Sequence, residues 1–299
     1  MSSKQKLILK PSKNSICGSS YNLLNIKLLN GCNGKCEFCI ASGTPFKKSA
    51  DAQKFIETAN AMTEFSKVDI LGGEPTLYPD LVKVLKGIRP YKKDIGIISN
   101  ASNLKIIKEC IPYLDTVTLS IHSFDYSKNS TGVYVNEEEL IDLNKNKGDV
   151  EIISAVVVTT KTVSNLQEIK SYAKKAKELG FSAIKLMELV TSNEDTDFID
   201  LQDLLINFGI HQKNATLRGC FFELPELSEY LGIKVYIKLC CPFNNIFKAK
   251  SFGIPDIEYQ HDYMNVIQAD CSVTDSWVYE SFENKVLNGG DYNVNYIKE

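Results

Sequence analysis

Residues 67–75 read Lys67-Val68-Asp69-Ile70-Leu71-Gly72-Gly73-Glu74-Pro75. The first five have the apolar and β-branched content of a short strand, and two glycines punctuate its end. Residues 78–88 then carry apolar side chains at helical spacing and stop before Pro90, which disfavours helical backbone in the residue ahead of it. The same strand-then-helix unit recurs on either side. Upstream, 24–29 reads as a strand and 49–65 as a helix. Downstream come strand 94–99, helix 103–111, strand 116–122, helix 136–144, the Val/Ile-rich strand 151–158, helix 166–179 closing on Gly180, and strand 183–189. Six strands alternating with five helices through short links predict an α/β fold, with a parallel sheet covered by helices. Right-handed crossovers curl such a sheet into either a doubly wound layer or a barrel.

The alternation covers 21–190. Residues 1–20 are polar, contain Pro11, and read as an N-terminal arm. After Val190 the pattern stops. Residues 191–200 are polar and acidic, 201–208 reads as a helix, and 215–224 and 232–240 read as two strands. The remainder is irregular and rich in Asn and Tyr. Residues 191–299 are therefore expected to form a smaller C-terminal extension.

Composition narrows the class. The chain has 299 residues, 43% hydrophobic and 24% charged, which excludes a largely disordered or collagen-like protein. No apolar run approaches the ~20 residues of a membrane helix; 152–158 is interrupted by Ser154. The N-terminus has no long apolar stretch of the secretory type, so a cytoplasmic protein without a membrane partner is expected. A net charge of −3 provides no general field for a polyanion, and only Arg89 and Arg218 supply guanidinium groups. A nucleic-acid partner is disfavoured.

Nine cysteines, an odd number, do not suggest a disulfide framework. Three of them crowd into Cys32-Asn33-Gly34-Lys35-Cys36-Glu37-Phe38-Cys39, directly after the first strand. Three thiolates on one loop leave a metal coordination position open, whereas a fourth ligand would close a zinc tetrahedron or fully ligate a cubane cluster. Cys17 could supply that fourth ligand, and a closed zinc knuckle stays open at this point. Gly72-Gly73-Glu74-Pro75 supplies glycines that allow close backbone approach, and a carboxylate able to accept from a cationic amine. Taken alone, the tetrapeptide reads more readily as a tight turn with a helix-capping acid.

A Cys-x-x-x-Cys-x-aromatic-Cys loop after the first strand, with Gly-Gly-Glu-Pro after the second, resembles the radical S-adenosylmethionine (SAM) enzymes from about residue 22 to residue 190. The resemblance implies a partial parallel (β/α)6 barrel, a [4Fe–4S] cluster and bound SAM. Cys32, Cys36 and Cys39 would each hold an iron. Phe38 would lie near the adenine, and Gly72, Gly73 and Glu74 would face the methionine amino group. Ser99 and Asn100, ending the third strand, match the family's polar pair near the ribose or carboxylate. Ser120 and His122 end the fourth strand. The family often carries Asp there, so His122 is a departure: a substrate contact, a proton shuttle, or a satisfied polar histidine. Val156, Val157 and Val158 would back the adenine or are plain core.

The implied reaction is reductive cleavage of SAM to a 5′-deoxyadenosyl radical, which takes hydrogen from a peptide or small-metabolite substrate. A flavodoxin or ferredoxin would serve as electron donor. Cys220, Cys240 and Cys271, beside Cys241, loosely resemble an auxiliary cluster-binding ("twitch") region, though at unusual spacing. Buried structural thiols, or a thiol hydrogen donor, are the other readings. Cys17 and Cys110 read as structural. Arg218 is either a substrate clamp or a salt-bridge partner. Strand alternation puts Lys185 and Met187 on one face and Glu188 on the other.

The molybdenum-cofactor cyclase is a neighbour by strand motifs. Its specific activity is disfavoured here, because the chain lacks that enzyme's terminal glycine pair and its close C-terminal Cys pair followed by a third, and is poor in Arg. The rival from another class is a non-catalytic zinc or iron–sulfur electron-transfer module.

Overall fold

A computed structural model describes residues 23–39, 48–125, 131–189, 197–207, 216–218, 221–238 and 265–274. The apolar runs become strands, paired in parallel and in sequence order: β1 (Leu23–Lys27), β2 (Lys67–Leu71), β3 (Asp94–Ser99) and β4 (Thr116–Ser120). Between them lie α1 (Ala52–Ala61), α2 (Leu81–Ile88) and α3 (Leu104–Cys110), with α4 (Glu137–Lys145) after β4. Capping explains where the helices start. The side chains of Asp51, Asn103 and Asn136 accept from backbone N–H groups in the first turns of α1, α3 and α4. Glu137, Glu138 and Glu139 add negative charge at the N-terminal end of α4. The helix expected over 49–65 is thus trimmed to the span that Asp51 caps.

Two compact units are distinguished by their internal packing. One holds β1 to β4, α1 to α4 and the start of β5 (Glu151–Val158). Its core includes Leu24, Ile26, Phe55, Val84, Leu85, Ile97, Val117 and Leu119, all at most 1% exposed. A segment expected to be irregular also joins it. β10 (Asn265–Ile267) pairs in parallel with β1, and β11 (Val273–Thr274) pairs antiparallel with β10. Strands of two or three residues are too short for alternation to show in sequence.

The second unit takes over within β5. It contains α5 (Leu166–Glu178), β6 (Ala183–Glu188), α6 (Leu201–Asn207), β7 (Thr216–Arg218), β8 (Phe221–Glu223), α7 (Pro225–Leu231) and β9 (Lys234–Lys238). β9 pairs in parallel with β6, as a further βαβ-type partner would. The strand expected over 215–224 is instead two short strands. β7 and β8 pair antiparallel with Arg218 opposite Phe221, and β8 pairs antiparallel with β9. Ser154, which interrupts the apolar run of β5, is buried with its hydroxyl 2.6 Å from that of Tyr172 on α5. A polar residue inside a core strand is tolerated when it finds such a partner. The described strands and helices make an α/β fold with mostly parallel pairing.

Candidate active site at the strand ends

Parallel strands end on one side, so the segments that follow β1, β2, β3 and β4 gather there. Those segments carry the cysteine loop, Gly-Gly-Glu and Ser-Asn. The first two are stitched together by backbone. Gly73 N–H donates to Leu29 O at 2.8 Å, and Glu74 N–H to Gly31 O at 2.9 Å. The approach is close enough to exclude side chains. A Cβ on Gly73 would lie 1.9 Å from Gly31 O, and one on Gly72 (φ 153°) 2.5 Å from Leu29 O. The glycine pair is needed by the chain's own packing, which the sequence does not reveal.

Glu74 is 1% exposed. Its Oε1 accepts from Thr76 N–H (3.0 Å), the Thr76 hydroxyl (2.7 Å) and the Ser99 hydroxyl (2.8 Å), while Oε2 accepts from Asn100 N–H (2.7 Å). The carboxylate therefore ties the end of β2 to the end of β3. Asn100 continues the connection, because its Nδ2 lies 2.8 Å from Asn33 Oδ1 and 3.6 Å from Cys32 Sγ. Cys32 Sγ also accepts from Gly34 N–H at 3.2 Å. A loop after β4 supports the cysteines from another direction: Lys35 N–H donates to Thr131 O at 2.8 Å, and Gly34 packs against Val133.

The three thiols are electrostatically coupled. Burial, then the neighbouring Cys39 and Cys32, push the Cys36 thiol up to about 12. Burial also raises Cys32, with Gly34 N–H and Asn100 opposing. A bound cation inverts this balance and holds the sulfurs as thiolates. Lys27, at the end of β1, is 2% exposed; desolvation lowers its pKa, and the charge of Cys39 opposes that. Asn25 and Lys27 share one face of β1 by alternation, and a lysine inside an apolar strand just ahead of a cysteine loop was a signal available in the sequence. Among the described residues, no three His, Cys, Asp or Glu side chains stand close enough to share one metal ion.

Residues 26–205, more than half of the chain, match the model of the Radical SAM superfamily. The chain belongs to the radical SAM superfamily. It is similar to a probable GTP 3′,8-cyclase of Thermococcus kodakarensis, 32% identical over 119 residues that span 37% of this chain and 38% of the relative. It is similar also to the GTP 3′,8-cyclase of Aquifex aeolicus (25% over 201 residues, 63% and 54%). A third relative is an S-adenosylmethionine-dependent nucleotide dehydratase of Flammeovirga pacifica (31% over 116 residues, 36% and 40%). The matches thus span between about a third and just over half of these relatives' lengths. Among solved structures, Streptococcus suis SuiB bound to S-adenosylmethionine superposes with a TM-score of 0.64 at 17% identity, covering 88% of this chain and 62% of SuiB. The structure of anSMEcpe with bound AdoMet and Cp18Cys peptide gives 0.55 at 17% identity, covering 86% and 74%. The fold is therefore that of the radical SAM partial barrel, and the chain is an enzyme of that superfamily.

The remaining predicted positions of this radical SAM chain fall as follows. Phe38 is half-buried within the cysteine loop, and Ser120 ends β4, one residue beyond the Ser99–Leu119 pairing of β3 with β4. His122 belongs to the second unit. It is 7% exposed, its Nδ1 accepts from Val157 N–H at 3.3 Å, and burial lowers its pKa to about 4. The imidazole is thus buried and receives a backbone N–H. Val156 and Val158 are fully buried.

Glu188 is buried and accepts from Leu201 N–H at 3.0 Å at the start of α6, whereas Lys185 and Met187 are only half-buried. The face division expected from alternation is present. Cys271 lies in the unit that holds β1, buried and at φ 64°, with burial pushing its thiol to about 11. Cys110 is buried in α3. Cys17, Cys220, Cys240 and Cys241 lie outside the described residues. No helix among the described residues is long and apolar enough to cross a membrane.

Proposed function

We propose that Cys32, Cys36 and Cys39 hold three irons of a [4Fe–4S] cluster whose remaining iron binds SAM, and that the enzyme abstracts hydrogen from a peptide or small-metabolite substrate. The observation that carries this reading is the convergence of the cysteine loop, Gly72-Gly73-Glu74 and Ser99-Asn100 through one set of short hydrogen bonds. The donor set fits the group. Three cysteine thiols on one loop can each hold one iron of a cubane and leave the fourth iron open, whereas a structural zinc site takes four protein ligands. Bound there, a [4Fe–4S] cluster would supply the single electron needed for reductive cleavage of SAM to methionine and a 5′-deoxyadenosyl radical.

The chain's own residues position and shield. The Gly72-Gly73 turn presents backbone rather than side chains at the mouth. Glu74 orders that turn through its bonds to Thr76, Ser99 and Asn100. Phe38 flanks the adenine, and Ser120 contributes a hydroxyl at the same strand end. A flavodoxin- or ferredoxin-type reductant supplies the electron.

The nucleotide enzymes among the relatives are named for nucleotide substrates, but one of this chain's two arginines, Arg89, is paired with Asp115 far down the strands from the site. A peptide or a small metabolite of low negative charge fits this chain better than a triphosphate. In this reading the chain comprises an arm (1–20), a catalytic region (21–190) and an extension (191–299). An auxiliary cluster in the extension would draw on Cys220, Cys240 and Cys271.

Anaerobic reconstitution tests all of this. Iron analysis is expected to give about four irons per chain, and about eight would add the auxiliary cluster. Cys36→Ala should abolish 5′-deoxyadenosine formation under strong reductant. Zinc without iron, or SAM cleavage retained in that variant, would refute the assignment.

A further inference from the structure

Asn100 is followed by a backbone anomaly. Ala101 adopts φ 63°, in the left-handed region that a residue with a Cβ rarely visits. The turn this creates lets Ala101 N–H donate to Ser99 Oγ (3.1 Å) and Ser102 N–H to Asn100 Oδ1 (3.0 Å). With its oxygen held by Ser102, the Asn100 amide has only one sensible orientation. Its Nδ2 must face the other way, where two hydrogens meet two acceptors, Asn33 Oδ1 at 2.8 Å and Cys32 Sγ at 3.6 Å. Ser102 Oγ reaches the same Asn33 oxygen at 3.4 Å. Behind this pair, Asn100 N–H is anchored on Glu74 Oε2. Turning the amide toward a ligand would strip Ser102 N–H of its acceptor.

We infer that Asn100 is a positioning residue for Cys32: one amide hydrogen tethers the cysteine loop through Asn33, and the other is donated to the Cys32 sulfur, where it favours the reduced state of the cluster. The role rests on the cluster proposed above. A donor on a ligating sulfur withdraws negative charge, so the more negative, reduced cluster gains more from it than the oxidised one. Glu74 acts one step further back, by holding the Asn100 backbone.

Asn100→Ala and Asn100→Asp, reconstituted alongside the wild-type chain, separate the outcomes. The readouts are iron content, the cluster midpoint from a titration followed by electron paramagnetic resonance, and the melting temperature of the cluster-free chain. The midpoint is expected to move negative in Asn100→Ala. It should move further in Asn100→Asp, which keeps an acceptor for Ser102 but sets an anionic oxygen against the sulfur. Poised at the wild-type midpoint, the reduced fraction of Asn100→Asp should fall several-fold. Loss of iron from Asn100→Ala with an unchanged melt of the cluster-free chain also supports the tether. Loaded variants that keep the wild-type midpoint overturn it, as does iron loss accompanied by a lowered melt in both variants. A wild-type chain that takes up no iron overturns the cluster reading itself, and is seen before any variant is made.

Discussion

Gly73 has no room for a side chain, and the obstacle is the peptide carbonyl of Gly31 rather than a flexible group. Gly73→Ala must therefore push the cysteine loop away from β2 and break the bonds from Gly73 and Glu74 to Leu29 and Gly31. Its expected signature is a strong loss of iron uptake, by most of the wild-type stoichiometry, while far-ultraviolet circular dichroism keeps the helical signal of the remote helices. Full iron loading of Gly73→Ala would contradict the stitched geometry. The motif was readable as glycines that permit a close approach. That the approaching group is this chain's own backbone was not readable, because it depends on two segments more than forty residues apart in sequence.

At the scale of the elements, Asp115 shows how strand order is enforced. It sits just before β4, accepts from Ile95 N–H on β3 at 2.8 Å, and receives the Arg89 guanidinium from the short 3-10 turn after α2. Its own carbonyl accepts from Glu151 N–H at the start of β5. Asp115→Ala should destabilise by about 1–3 kcal/mol, because Ile95 N–H and Arg89 lose their shared acceptor; the ion pair is part-exposed and contributes the smaller share. A denaturant titration should show a lower midpoint at an unchanged slope. Arg89→Met, which removes only the ion pair, should cost less than Asp115→Ala. Equal losses would assign the effect to the ion pair instead.

Element positions were largely legible. The strands 67–71, 94–99 and 151–158 begin and end where apolar content and turn residues put them. The hairpin of β7 and β8 and the parallel addition of β10 to β1 were not, since three-residue strands owe their existence to partners and not to their own pattern.

For the molecule as a whole, His122 links stability to pH. Burial lowers its pKa from 6.5 to about 4. The unfolded chain therefore binds a proton here before the folded one does. Stability is unaffected above pH 6.5, falls as the pH drops through the window between 6.5 and about 4, and loses nothing further from this residue below it. The total contribution is of the order of a few kcal/mol. His122→Gln should flatten this part of the profile when melting temperatures of variant and wild type are compared from pH 7.5 to pH 4.5, about the range in which a histidine normally titrates. A difference between them that does not change with pH would show that the imidazole is not held neutral by burial.

By itself the sequence determined the α/β class, the alternation of strands and helices, and the residue types able to hold a metal cluster, because these follow from local periodicity and from short motifs whose members are chain neighbours. It also carried the burial division of Lys185, Met187 and Glu188, since alternation along a strand is local. Tertiary structure alone decided that Glu74 is spent on Thr76, Ser99 and Asn100, that Asn100 reaches the Cys32 sulfur, that His122 is neutral and covered, and that a C-terminal strand lies beside β1. Each of these is a contact between segments distant along the chain. A hydrogen bond or a buried charge takes its energy from the particular atom it meets, and only folding chooses that atom.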